Sequence, residues 1–543
     1  MRVPPSSLST LALALLLAQG SSLAQAAPVD PTSSATAAPR ELGKPEDDIE
    51  LDVQAYQIDG LPGVPADKLA AVTAPFTGKA RHFEDLSNAV AAVTLFVQRD
   101  LGYYVGMAYL PEQNPKNGIV HIQVMEGRLD QVKVNWSDDL PVKRDVIEAH
   151  LAAFKPGSVL RVDEVERAVL LLGDLPGVRT RFEIEPGRTP GTASLVVTPQ
   201  AEARVAGSAE FDTLGSRYTG ITRWGVQAAI ASPLGWGDTL MLHARTTTST
   251  GLYDGGLSYI VPVGAQGLKL GASLAGVSYQ VDRSFFTQSL HGSALASNVF
   301  GTYPVIRSRN LNLFGLASVN YKRFDDQFDD FSTRKSSTGV QLGVLGDLRD
   351  GLLGGGINTY DAAWTQGRMS FDPALTPDGI RPSYGKLTLG ASRLQNILPG
   401  RLQFYARYKG QLTNANLDAT ERLPLGGADG VRAFGPSEGT GDDAHLLSAE
   451  LRLLPPESWF GRASRELAFR TFYDWGHSKY SHDPLTTGLV NTTTLAAVGL
   501  GLSWERPSEF ALRFDLAWRA QGHADIEPPN HQPRASLVLN KPF

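Results

Sequence analysis

From Arg204 to the C-terminus, hydrophobic and polar residues alternate one by one, in segments separated by Gly-, Asp-, Asn- and Pro-containing turns. In Arg401–Leu412 the set Leu402, Phe404, Ala406, Tyr408 and Leu412 alternates with Arg401, Gln403, Arg407, Lys409 and Gln411. In Phe510–Trp518 the residues Phe510, Leu512, Phe514, Leu516 and Trp518 alternate with Arg513 and Asp515, and in Thr494–Trp504 the residues Ala496, Val498, Leu500, Leu502 and Trp504 alternate with small or polar ones. A period of two is that of a strand with one apolar and one polar face. Nearly every segment has this character, and no helix or compact core-forming stretch lies between them. A closed barrel in lipid satisfies such a chain, because it leaves no unpaired backbone edge. The expectation is a transmembrane β-barrel over 202–543 with about sixteen antiparallel strands.

The last strand, Arg534–Phe543, places Ala535, Leu537, Leu539 and Phe543 on one face and ends on an aromatic residue at the C-terminus itself. It reads as the closing strand of an outer-membrane barrel, with Phe543 as a C-terminal barrel signal; taken alone it also fits the last strand of a soluble β-domain. Trp224, Trp236, Trp364, Trp504 and Trp518, placed near strand ends, are candidates for interfacial girdles.

Residues 49–201 have a different rhythm. In the first unit (49–127), Leu51–Ile58 reads as a strand, Pro65–Phe76 as a short helix and Phe83–Leu101 as a longer one. Leu86, Val90, Val93, Val97 and Leu101 make its apolar face. Strands follow at Tyr104–Tyr109 and Ile119–Val124. The second unit (128–201) repeats the order: strand Leu129–Val134, helices Val142–Phe154 and Val162–Leu175, strands Arg179–Ile184 and Ser194–Thr198. Two copies of one β-α-α-β-β order are an internal repeat. Small sheets of this kind have open edges able to capture an extended segment of another chain; the alternative is that the units are spacers. Helix Val162–Leu175 and strand Arg179–Ile184 are candidate contacts for a client.

Composition narrows the classes. The chain has 543 residues, no cysteine and a net charge of −6. Disulfides, thiolate-bound zinc and a cysteine nucleophile are excluded, and no basic field points to nucleic acid. His82, His121 and His150 are too scattered to propose a metal. No G-x-x-x-x-G-K-[ST], H-E-x-x-H or G-x-S-x-G motif is present, so no catalytic residue, cofactor or metal is assigned and an enzyme is not expected. No apolar run of helical-span length follows the N-terminus, which argues against a helical span. At the N-terminus, Arg2, the apolar Leu8–Ala18 and the small-residue Ala24-Gln25-Ala26 predict a signal peptide over 1–26. The Ala/Pro/Ser/Thr-rich stretch 27–48 reads as a flexible linker.

One connection departs from hairpin grammar. The Gly-rich stretch within about 414–442, from Leu423 to Asp442, is too long for a tight turn, and Val431, Arg432, Ala433, Phe434 and Gly435 form a cationic and aromatic tip. Two strands on, alternation around Phe472-Tyr-Asp-Trp-Gly476 places Leu467, Phe469 and Tyr473 outward and Arg470, Phe472 and Asp474 toward the lumen. Either this is an ordinary extracellular loop opposite an ordinary lumenal Asp, or the Arg and the Asp form a charge-assisted pair that holds the loop inside.

These features together resemble the outer-membrane transporters of two-partner secretion (TpsB type, ShlB/FhaC/HecB-like), a branch of the Omp85 superfamily. The two α/β units are similar to periplasmic POTRA domains. Asp212–Gly220 and Ser232–Asp238 resemble the family's first barrel hairpin, Val431-Arg-Ala-Phe434 its loop motif, and Phe472-x-Asp474-x-Gly476 its barrel-wall motif. The resemblance implies that Arg432 pairs with Asp474 and that Phe434 packs beside it. It implies a pore in the outer membrane of a Gram-negative bacterium. That pore takes a large exoprotein (adhesin, haemolysin or toxin-like) by its N-terminal secretion domain and passes it to the cell surface. Outer-membrane lipid and the barrel-assembly machinery are the other implied partners. Two departures stand out: Ala433 replaces the usual Gly, and 27–48 is short and Pro-rich for the plug helix and linker of some members. The rival readings are an insertase of the same superfamily and a passive porin.

Overall fold

The structure, a computed structural model, describes residues 50–543 apart from 250, 287, 373–376, 378, 485, 487 and 527–531. The expected signal peptide (1–26) and linker (27–48), with the question of a plug helix, lie outside the described residues.

The first α/β unit comprises β1 (Leu51–Val53), β2 (Ala55–Asp59), α1 (Ala66–Thr73), β3 (Gly78–Arg81), α2 (Phe83–Arg99), β4 (Met107–Tyr109) and β5 (Ile119–Met125). Helix α2 starts at a capping box, in which the Asp85 carboxylate accepts from the His82 N–H (3.1 Å). Its buried Ala89, Val93 and Val97 share a core with Val120, Ile122 and Val124 of β5. β5 sits between parallel β2 and antiparallel β4. The expected order needs one correction: the opening strand is broken at Gln54, whose N–H turns to the Gly118 carbonyl (2.8 Å). The detached β1 pairs with β3, an extra strand between the helices.

The second unit keeps the expected order: β6 (Arg128–Val134), α3 (Arg144–Leu151), α4 (Val162–Gly173), β7 (Val178–Pro186) and β8 (Thr192–Ala201), in a sheet ordered β6-β8-β7. Its core gathers Leu129, Ile147, Leu151, Leu172, Leu195 and Val197. The units meet at Gly127, which has φ +65° and where a Cβ would stand 2.7 Å from Val105. Backbone bonds from Tyr104 N to Leu160 O (2.8 Å) and from Val162 N to Gly102 O (2.9 Å) tie them together.

Strands β9 (Val205–Asp212) to β24 (Arg534–Pro542) then form a closed sixteen-strand antiparallel barrel, with β24 paired back to β9. Its pattern is inside-out. Val299, Val319, Leu342 and Leu500 are exposed on the outer face, while Lys322, Arg470, Asp474 and Asp515 are buried within. The outer band faces lipid, where an exposed apolar side chain carries no hydrophobic cost. At the seam, Phe543 N donates to Gly207 O (2.9 Å) and Gly207 N to Phe543 O (3.2 Å). The Phe543 ring covers Gly207, where a Cβ would come within 2.5 Å of it. Two of the proposed girdle tryptophans sit elsewhere. Trp236 lies in the turn after β10 (Arg223–Ala231), 5.3 Å beneath the Lys143 ammonium, and Trp364 is mid-strand in β17 (Gly356–Phe371).

Helix α4 corrects another expectation. Beyond its exposed first turn its outer face is closed to a client, because it docks on the near end of the barrel, the end that carries the α/β units. Asp174 takes a bidentate pair from Arg307 (2.7 and 3.1 Å), Glu166 accepts from Arg309 N (2.7 Å), and Arg167 donates to Pro304 O (3.0 Å). Strand β7 pairs only with β8 among the described residues, so its outer edge is open.

Candidate functional site

The connection between β19 (Leu402–Thr413) and β20 (Asp443–Leu453) leaves the far end of the barrel and folds back into the lumen. It forms its own ladder first: Leu423 and Gly441 exchange two backbone bonds (3.0 and 3.1 Å), Leu425 N reaches Glu438 O (3.0 Å), and Val431 N reaches Leu425 O (2.8 Å). These bonds satisfy backbone groups that would otherwise be orphaned inside the barrel. Gly427 and Gly439, both at positive φ, make the reversals. Ala433 is not in the left-handed region, so the replacement of the usual Gly carries no backbone strain here.

The tip is anchored by shape and by charge. Leu425, Val431 and Phe434 are fully buried with Leu446, Phe472, Leu495 and Ala517 of the wall, each such side chain contributing about 1.5–3 kcal/mol by burial. Gly476, on β21 (Leu467–Lys479), leaves room for this contact; a Cβ there would meet Leu446, Leu425 and Val431 at 2.9–3.2 Å. Arg432 donates from Nε and Nη2 to the two carboxylate oxygens of Asp474 (2.7 Å each) and from its backbone N–H to Asp474 Oδ2 (3.2 Å). Nη1 reaches Glu450 (2.8 Å), Nη2 reaches the Ser448 hydroxyl (3.2 Å), and that hydroxyl donates to Asp474 (2.7 Å). The guanidinium lies 3.4 Å from the centroid of the Phe472 ring. Burial disfavours the cation, yet the hydrogen bonds to Asp474 and the Glu450 charge leave Arg432 more basic than usual. The two motifs 42 residues apart are therefore one buried, fork-to-fork unit. Phe434 is stacked beneath Arg519 (4.8 Å) of β23 (Phe510–Gln521), Ala433 O accepts from Arg519 Nε (3.4 Å), and Gly435 is buried behind the tip.

A second set of contacts escapes the sequence reading. On the descending limb, Asp418 caps a short 3-10 turn (Ala419–Glu421). Glu421 receives Lys322 Nζ (2.9 Å) from β15 (Leu311–Phe328) and Lys386 Nζ (2.8 Å) from β18 (Ser383–Leu398). Asp418 receives Lys335 Nζ (3.0 Å) from β16 (Phe331–Asp350). Burial pushes the Glu421 carboxyl up, but Lys386 and Lys322 outweigh it and hold it well below the usual range. The three lysines are recognisable as inward-parity positions on their strands, but parity cannot say which loop carboxylate each one meets. Strands β15 and β23 stand eight apart in the ring of sixteen, so the loop reaches both opposite walls. Among the described residues no cluster could hold a metal. Asp59 lies 3.2 Å from His121, and Val146 O lies 2.8 Å from His150.

Comparison with known proteins bears on this arrangement. A family model described as haemolysin secretion/activation protein ShlB/FhaC/HecB matches residues 191–504, and a ShlB-type POTRA domain matches 51–127. The heme/hemopexin transporter protein HuxB of Haemophilus influenzae is 24% identical, over 84% of this chain and 80% of its own length. The outer membrane transporter CdiB of Dickeya dadantii is 23% identical, over 76% of this chain and 73% of its own. Among solved structures, CdiB from Escherichia coli superposes over the whole of both chains with a TM-score of 0.74 at 18% identity.

Proposed function

This chain belongs to the ShlB/FhaC/HecB family of haemolysin secretion/activation proteins, and from that premise we propose how its parts divide the work of two-partner secretion. It is an outer-membrane transporter with its POTRA end in the periplasm, and its cargo is a partner exoprotein. The near end of the barrel is thus periplasmic and the far end extracellular.

The observation that carries the finer reading is the loop tip buried against the wall through Arg432, Asp474 and Glu450. A lumen crossed by a pinned loop suits a channel that opens for a polypeptide better than a standing solute pore. The loop motif Val431–Gly435 and the wall motif Phe472, Asp474 and Gly476 position that loop. The open edge of β7 and the exposed Met107 and Tyr109 on edge strand β4 favour capture of an extended secretion domain by strand addition. Helix α4 serves as the mount that orients the second unit beneath the pore. The exoprotein threads through unfolded, and folding outside biases its movement outward. HuxB is a heme/hemopexin transporter protein, which makes a heme- or hemopexin-handling exoprotein one candidate cargo. Outer-membrane lipid surrounds the apolar band, and Phe543 at the seam is the signal for the barrel-assembly machinery.

The test compares the medium and the outer membrane of cells with and without this chain. Loss of a single large extracellular protein, with other barrels unchanged, is the expected result and identifies the cargo. Broad loss of outer-membrane barrels would replace this reading with that of an insertase.

A further inference from the structure

The loop is held to the barrel by ionic anchors of different chemistry at its tip and its stem, and beside the tip Arg407 of β19 also pairs with Asp429 (3.2 Å). At the tip a planar guanidinium grips Asp474 with two parallel bonds over the Phe472 ring, inside a large apolar cluster. At the stem the grip is made of lysine ammoniums, which are point charges on flexible arms with no fork to match. The apolar cluster around the stem is small: Met369, Tyr384, Ala415 and Leu417. Arg422 and Asp442 (2.8 Å) tie the two limbs of the loop to each other rather than to the wall.

We propose that the stem is the gate and the tip its hinge: carboxylates and peptide carbonyls of the passing chain replace Asp418 and Glu421 on Lys322, Lys335 and Lys386, while Arg432 stays on Asp474. Replacement is the decisive point. A buried ion pair broken without a substitute leaves an uncompensated charge, which is strongly unfavourable. An unfolded polypeptide carries a carbonyl oxygen at every residue, and an ammonium can donate to any of them. A passing carbonyl offers Arg432 a single oxygen, and a passing carboxylate would have to enter the apolar cluster that seats the tip to match the two-pronged, fixed Asp474. Exchange at the stem clears the lumen beside β15–β18 and leaves the loop tethered to β20–β21, ready to return. Lys322, Lys335 and Lys386 are therefore positioning residues for the loop in its closed state and a transient track for the cargo in the open one.

This inference rests on the loop-gated reading above, and its test needs no cargo, so the two fail separately. The chain contains no cysteine, so Ala419→Cys reports on the stem and Ala433→Cys on the tip; both positions are buried. Each full-length variant is reconstituted in lipid vesicles with and without Glu421→Gln and treated with a soluble maleimide. Glu421→Gln should speed labelling at 419 about tenfold, the change that ~1.4 kcal/mol makes in an opening equilibrium, and should leave 433 slow. The empty channel should also conduct more in a planar bilayer. Unchanged labelling at 419, or equal acceleration at both positions, overturns the proposal. If Glu421→Gln does not assemble into a heat-modifiable barrel, Asp418→Asn carries the same readings: it weakens only the Lys335 contact and keeps a capping side chain.

Discussion

The two halves of this molecule solve opposite packing problems. In the POTRA units the interior is apolar and the ion pairs lie outside: Ile147 and Leu195 are fully buried, whereas the Asp130–Arg188 pair sits at the surface with its arginine open to water. In the barrel the apolar residues face outward and the charges are enclosed, with Arg432, Glu450 and Asp474 almost wholly buried. Water drives the first arrangement through the hydrophobic effect. Lipid removes that drive from the barrel's outer face, so backbone pairing and the lumen's own contacts decide its shape. A buried ion pair is weak evidence of stability, since desolvation opposes it. What the lumenal charges supply is position: they specify where a long loop lies.

The contrast is sharpened most by Arg432→Ala. It leaves Asp474 buried with only the Ser448 hydroxyl beside it, while Glu450 keeps Arg452, a loss of about 3–5 kcal/mol in loop docking. Exoprotein in the medium should fall to near background while the barrel still inserts and remains heat-modifiable. Normal secretion by a well-inserted variant would end the assignment of this loop. Arg432→Lys should recover only part of the activity, because the fork is lost.

A change of similar size but opposite character is Ile147→Ala in the second POTRA core. Removing this buried side chain should cost about 2–5 kcal/mol. In the intact protein, calorimetry should show the POTRA transition lowered and the barrel transition unmoved; a shift of both would mean that the halves unfold as one unit.

Between the halves, Arg307→Ala removes the bidentate partner of Asp174. Charged hydrogen bonds of this kind contribute about 1.5–3 kcal/mol. Spin-label distances from the second POTRA unit to the periplasmic rim should broaden, and a distribution as narrow as wild type would show that the other α4 contacts suffice.

The smallest effect is expected at the surface pair. Hydrogen bonds from Arg188 hold the Asp130 carboxyl down to about 2. The folded-state value is depressed, so the pair's contribution is present above the ordinary carboxylate range and fades as pH falls toward 2. Arg188→Ala should return the carboxyl to the ordinary range in an NMR titration and lower the melting of the POTRA units at neutral pH only slightly. A clear loss of stability there would erase the contrast with the lumen.

Some of this was open to reading in the linear chain. The alternation of Leu402, Phe404, Ala406 and Tyr408 specifies a strand and its two faces, because the period of two is a property of the backbone. Gly-rich 423–442 declares itself too long for a turn, and the parity of Phe472 and Asp474 places both inward. The break at Gln54 and the extra strand β3 were not legible: they depend on which neighbour offers a partner, here Gly118 and Gly78–Arg81. The docking of α4 was missed for a similar reason, since Glu166, Arg167 and Asp174 look like an ordinary solvated helix face until Arg307 and Pro304 are brought against them.

By itself, then, the sequence determined the local grammar: two small α/β units, a run of two-faced strands, and one loop with an arginine at its tip. Periodicity and turn chemistry act over a few residues and need no fold to be read. Only the tertiary structure decided that Lys322, Lys335 and Lys386 converge on Asp418 and Glu421, and that the loop is held at both walls. Those partners lie 83, 99 and 35 residues apart along the chain. Closure of the barrel sets their distances, and a buried charge is paired by whatever closure brings within reach.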